Sequence, residues 1–206
     1  MSRALKSLAI FAAIIVIYTL SRHVIHSSST TTTTTTTTTA HSTTTTTTTT
    51  PPVSDACAGQ NFSGLYNTGE GAAGTVYATV TLTNTGTTSC TLHGWPILTL
   101  QDKLGAVLTS TLVDVPSASN SFQFLAGSAT GLTDKANDAP TTLTLGKNAT
   151  ATFALAYSDV PVGTAACENA ISVFVQFAKN GTPVSLTPSE PVQPCGNGEI
   201  WLSPFY

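Results

Sequence analysis

Between Thr30 and Thr50, eighteen of twenty-one residues are threonine, in two unbroken runs, Thr30 to Thr39 and Thr43 to Thr50, closed by Pro51-Pro52. Such a tract has too little apolar surface to repay the ordering entropy of its backbone, so it cannot form a core of its own. It divides the chain into residues 1–26, residues 27–54 and residues 55–206, and only the last is long enough to bury a sizeable core. A threonine tract with adjacent prolines has the composition of an O-glycosylated spacer, and an unmodified disordered linker would serve the same mechanical role. The 36 residues from Ser21 to Ala56 reach on the order of 110 Å if extended, or about 30–35 Å as a flexible coil. Residues 27–54 are therefore read as a stalk.

Residues 1–26 have the layout of an export segment. Arg3 and Lys6 precede a continuous apolar run from Leu8 to Leu20. Those thirteen residues have the length of a signal-peptide core, short of the roughly 17–25 that a spanning helix needs. Counting from Ala4, with Lys6 reaching back to the interface, gives 17, just enough to span. The residues that follow, Ser21-Arg22-His23, offer no small-residue cleavage motif. The segment is read as an uncleaved signal-anchor, with a cleaved signal peptide as the alternative. The terminal amine, Arg3 and Lys6 outweigh Arg22, so the N-terminus stays inside and the remainder is extracytoplasmic. The membrane is thus an expected partner of the first segment, and secretion is the expectation if the signal is cleaved.

Charge narrows the function classes. Charged residues are 8% of the chain, against about 25% in an average globular protein. From Asp55 onward there are four lysines, no arginine and ten acids, so 4 − 10 = −6. Nucleic-acid binding is excluded on this balance, because no basic footprint exists to neutralise phosphates.

Residues 55–206 alternate with period two. Val76, Ala78, Val80 and Leu82 interleave with Tyr77, Thr79, Thr81 and Thr83; Phe153, Leu155 and Tyr157 interleave with Ala154 and Ala156. Ile171, Val173, Val175 and Phe177 point one way if Ser172, Phe174 and Gln176 point the other. These are half-buried antiparallel strands. Asn180-Gly181 predicts a type I′ hairpin turn between a strand over 171–178 and one over 182–186. Many short strands, frequent turns and no helical period point to an all-β fold, an Ig-like antiparallel β-sandwich, with a small barrel as runner-up. The stretch 117–140 is rich in Ser, Gly, Asn and Asp and carries Phe122, Phe124 and Leu125. It reads as a long loop whose aromatics dock back on the sandwich, or else as an interaction loop that presents those three residues.

Four cysteines, Cys57, Cys90, Cys167 and Cys195, follow the export segment. An even count in that setting reads as two disulfides. Of three pairings, Cys57–Cys90 and Cys167–Cys195 are favoured because each brackets one hairpin-rich half of the domain. Closing loops of 33 and 28 residues would stabilise by about 3–4 kcal/mol each in the chain-entropy model. Free thiols or a zinc site are the alternatives. Cys90 and His93 have ligand spacing, but no second close pair accompanies them.

The order of motifs is itself informative. Gly74-Thr75 leads to Thr83-Asn84-Thr85-Gly86, then Ser89-Cys90-Thr91-Leu92 and Gly94-Trp95-Pro96; later come Cys167, a strand near Phe174, Pro194-Cys195-Gly196 and Ser203-Pro204. This order resembles an uncharacterised family of exported actinobacterial domains, known only as a domain of unknown function. The resemblance spans Cys57 to Pro204 and implies a small Ig-like sandwich behind a signal peptide, lipid anchor or membrane helix. It is consistent with the favoured cysteine pairing. It implies no activity. Two departures are the missing Pro-Gly near Leu145-Gly146 and a longer 117–140 stretch.

Candidate chemistry is sparse. His93 is the one histidine of residues 55–206. Nucleophilic catalysis would set it beside a serine such as Ser89 and an acid such as Asp102, yet no nucleophile-elbow pattern surrounds any serine. Without a companion motif it reads as a turn histidine. No Cys-x-x-Cys motif exists to lower a thiol pKa. Asp134 and Asp138, with Asn137 as a third oxygen, read as loop solvation, or at most as a weak calcium site. Trp95 reads as a core residue near Cys90 rather than a sugar-stacking platform, and Trp201 likewise as core. Asn61, Asn148 and Asn180 begin N-x-S/T sequons. The expectation is a non-catalytic surface module for an envelope glycan or protein partner, with no metal or cofactor; the alternative is an exported hydrolase or redox enzyme.

Overall fold

A computed structural model describes residues 53–54, 56–69, 71, 73–117, 122–163 and 167–206. The expected signal-anchor and nearly all of the threonine-rich stalk lie outside the described residues.

The described chain is all-β. Its strands are β1 (Val53–Ser54), β2 (Phe62–Thr68), β3 (Thr75–Asn84), β4 (Ser89–Leu92), β5 (Ile97–Gln101), β6 (Thr111–Asp114), β7 (Leu143–Leu145), β8 (Thr150–Ser158), β9 (Ser172–Gln176), β10 (Val184–Leu186) and β11 (Glu199–Leu202). The largest sheet has five strands in the order β2-β3-β8-β11-β6. Its pairings are antiparallel except β11–β6, which is parallel and sets Ile200 opposite Leu112. Two smaller sheets run β10-β9-β5 and β1-β4-β7.

The main core lies between these layers. Val80 and Leu82 from β3, Phe153 and Leu155 from β8, and Ile200 and Leu202 from β11 meet Leu98 and Leu100 from β5, Val173 and Val175 from β9, and Val184 and Leu186 from β10. This is the face that the period-two reading assigns to the interior. Phe205 closes the layer edge-on, with ring centroids 5.8 Å from Phe153 and 6.0 Å from Phe177. Ser203 is buried beside it; its hydroxyl accepts from the Ala154 N–H at 2.7 Å and donates to the Pro204 carbonyl at 2.9 Å.

The opposite face of the large sheet is not all left to solvent. Tyr77, Ala154 and Ala156 form a second buried cluster with Val115, Phe124, Ala129, Leu132 and Ala136. The segment 122–137 lies on the sheet as a lid, which is why every residue from Phe153 to Tyr157 is buried. Alanine at 154 and 156 leaves room for the lid's larger side chains, in the alternation of large and small that close packing requires. Thr79 is buried there too, and its hydroxyl donates to the Thr130 carbonyl.

Three local expectations are corrected. Asn180-Gly181 is not a type I′ turn: only Asn180 takes a positive φ (66°), and the Gly181 N–H closes the turn onto the Ala178 carbonyl at 3.0 Å. The turn is thus centred on Lys179-Asn180, and its second strand starts at Val184 rather than at residue 182. Ile171 has the parity of Val173 and Val175 but sits before β9, beyond the edge of the core, and is 41% exposed.

Candidate functional site

Both disulfides take the favoured pairing, Cys57–Cys90 and Cys167–Cys195. Cys57 and Cys90 are buried in the main core. Their bridge holds the segment before β2 onto β4, alongside a 3.0 Å bond from the Cys57 N–H to the Thr91 carbonyl. Two bridges in one domain fit an oxidising compartment.

The second bridge lies at one end of the sandwich. The strand register gathers the loops there: β8 ends opposite the start of β3 and of β11, β11 starts opposite the start of β6, and β5 ends opposite the start of β9. The Cys195 N–H bonds the Ser158 carbonyl at 2.8 Å and ties the bridge to the end of β8. Two adjoining grooves share Leu108, Cys167 and Glu168. One, of about 340 Å³, adds Val162, Pro194 and Asn197. The other, of about 330 Å³, adds Asp102, Lys103 and Ile171. Around them stand exposed aliphatic side chains: Leu104 (83%), Val107 (64%), Val160 (52%) and Val162 (68%). The Leu104–Val107 hairpin is held out by Asp102, whose carboxylate accepts the Leu104 and Ala106 N–H groups at 2.8 Å each.

This surface is absent from the sequence reading, whose interaction candidates were Phe122, Phe124 and Leu125. The structure corrects that assignment. Phe124 is 2% exposed inside the second cluster, and Phe122 is half-buried, stacked on Trp201 with centroids 4.6 Å apart. Of the three, only Leu125 faces solvent. The favoured reading, docking of the loop aromatics on the sandwich, describes both phenylalanines: their rings repay the ordering of the lid by burial.

The remaining candidates are dispersed. His93 is exposed, with Nδ1 3.3 Å from the Thr142 hydroxyl, and lines neither groove. Asn137 is committed to the lid: its Oδ1 accepts the Phe124 N–H at 2.8 Å and its Nδ2 donates to the Phe124 carbonyl at 2.9 Å. No group of three or more potential metal ligands occurs among the described residues. Trp95 is half-buried against the main core, and its indole N–H donates to the Val115 carbonyl at 3.1 Å. Asn61, Asn148 and Asn180 are all exposed. Burial first, then the neighbouring Tyr157, pushes the Tyr66 hydroxyl well above its usual 10.0. Burial likewise raises Asp114 above its usual 3.8.

The family model described as "Domain of unknown function (DUF4232)" matches residues 57–200. The chain belongs to the DUF4232 family. The matched span contains both disulfides, the lid and both grooves. No curated protein and no solved structure matches the chain.

Asn84 was legible only as part of a turn motif. It is in fact a buried node of this DUF4232 domain: its Nδ2 donates to the Thr88 and Leu145 carbonyls at 3.0 Å each, and its Oδ1 accepts the Gly86 N–H at 2.9 Å. The Asn-Thr-Gly signal was present in the sequence, but nothing local indicated the long-range bond to Leu145.

Proposed function

We propose that this chain is a non-catalytic extracytoplasmic module, anchored by its N-terminal segment and carried on the threonine-rich stalk, whose β-domain contacts a protein partner through the end that bears the Cys167–Cys195 bridge. One observation carries the choice of protein over glycan. Among the described residues every Trp, Tyr and Phe is buried or half-buried, while the exposed apolar side chains at that end are aliphatic. Sugar recognition uses exposed aromatic faces, whereas a group of exposed aliphatics beside concave grooves suits a protein contact. The stalk gives such a contact reach away from the membrane.

The test is site-specific photo-crosslinking of the full chain in its native envelope. A photoreactive residue at Val162 is expected to yield adducts that protease removes, and one at Thr83 on the open part of the large sheet none. Adducts from Val162 that only glycan-degrading enzymes remove, or equal adducts from both positions, would overturn the proposal.

A further inference from the structure

The surface at the second disulfide also carries a pattern of charge. Asp102 and Glu168 line the grooves. Asp159 lies with Val160 beside Gly74. Lys103 is the one cation among them. Three carboxylates against one ammonium thus stand among the aliphatic side chains, in a domain whose own balance is −6 (4 − 10, from Asp55 onward).

We infer that the occupant of this surface is a cationic, aliphatic-rich segment of a different protein, with lysine or arginine placed against Asp102, Asp159 and Glu168 and branched side chains seated beside Leu108 and Val162. The inference rests on the protein-contact reading above and names the partner's chemistry. Complementary potential steers the encounter and rejects wrong partners, while the aliphatic contact supplies the burial. A second copy of this chain is disfavoured by the same charges. A two-fold pairing through this end would set three carboxylates against three, and like charges brought together cost free energy. An anionic lipid surface is disfavoured in the same way.

The experiment uses the full chain in detergent micelles and three synthetic peptides, with binding read by fluorescence anisotropy. One peptide alternates Lys with Leu, one alternates Glu with Leu, and one alternates Lys with Ser. The Lys/Leu peptide is expected to bind and the other two to fail. Charge removal in Asp102→Asn/Glu168→Gln is expected to weaken it about three- to tenfold, and raised salt to do the same. Loss of the aliphatic surface in Val107→Ser/Val162→Ser is expected to weaken it by at least about tenfold. All four positions are outside both cores, and near-ultraviolet dichroism of the Phe122–Trp201 stack verifies the fold of each variant. Equal binding of the Glu/Leu peptide, or Lys/Leu binding that both double variants leave unchanged, would overturn the inference. So would dimerisation, or capture by phosphatidylglycerol vesicles, that Val107→Ser/Val162→Ser abolishes. If protein adducts form at Val162 while the Lys/Leu peptide fails to bind, the protein-contact reading survives and the partner chemistry is wrong. If neither occurs, both fall.

Discussion

Asn137→Ala tests how the lid is held. The Asn137 amide completes both backbone groups of Phe124, at 2.8 and 2.9 Å, much as a neighbouring strand would. Phe124 is 2% exposed, so its N–H and C=O have little water to turn to once the amide is gone. An unpaired buried backbone group costs about 1–3 kcal/mol. Both bonds are only partly buried, so the lower part of that range applies to each, and the substitution is expected to cost roughly 2–3 kcal/mol in all. Against a typical stability of about 5–15 kcal/mol this is a large loss, equivalent to a fall in Tm of about 5–10 °C for a domain of this size. Asn137→Asp is no rescue, because it turns the donor into a second acceptor facing the Phe124 carbonyl. Thermal unfolding by circular dichroism gives the magnitude, and hydrogen exchange of the Ala129 and Ala136 amides shows whether the lid opens alone. The reasoning fails if neither Tm nor lid exchange moves. It fails differently if calcium raises the Tm of the unaltered protein and Asn137→Ala abolishes that rise, for the amide would then be a ligand.

Three further outcomes follow from the packing. The loops closed by the bridges, 33 and 28 residues, give nearly equal entropic terms of about 3.6–3.7 kcal/mol, so access decides the order of reduction. Cys167 is half-exposed in the grooves while Cys57 and Cys90 are buried; differential alkylation under limiting dithiothreitol should label Cys167 and Cys195 first. Phe205→Ala empties a site 1% exposed between Phe153 and Phe177 and is expected to cost about 3–5 kcal/mol in denaturant unfolding. Burial raises Tyr66 and Tyr157 above 10.0 and Tyr206 to about 12. Above the unfolded value the unfolded chain has already lost protons that the folded one retains, so stability should hold up to about pH 9 and then fall through the alkaline range. Urea midpoints read against tyrosinate absorbance check this, and a midpoint unchanged into that range would contradict it.

The sequence by itself determined the local alternation, and with it the inner face of the sandwich. Val80, Leu82, Phe153 and Leu155 need only the two-residue repeat of a pleated strand to be assigned together. It also sufficed for the all-β class and the favoured cysteine pairing, because composition and spacing act along the chain. What it left open depends on which segments meet. Tyr77 and Ala154 read as outward residues, and they are, but the lid that covers them is joined to them only through space. Phe122 and Phe124 carry the same local signal whether they dock or protrude; the stack on Trp201 and the Asn137 clamp decide it from 79 and 13 positions away. The parallel β6–β11 pair has no signature in either strand. The aliphatic end is less legible still: Leu104, Val107, Val160, Val162 and Ile171 are scattered single residues, indistinguishable in sequence from core positions. Tertiary structure alone brings them together, because the register of β3, β5, β8, β9 and β11 carries their loops to one end, past the last layer of side chains that could bury them.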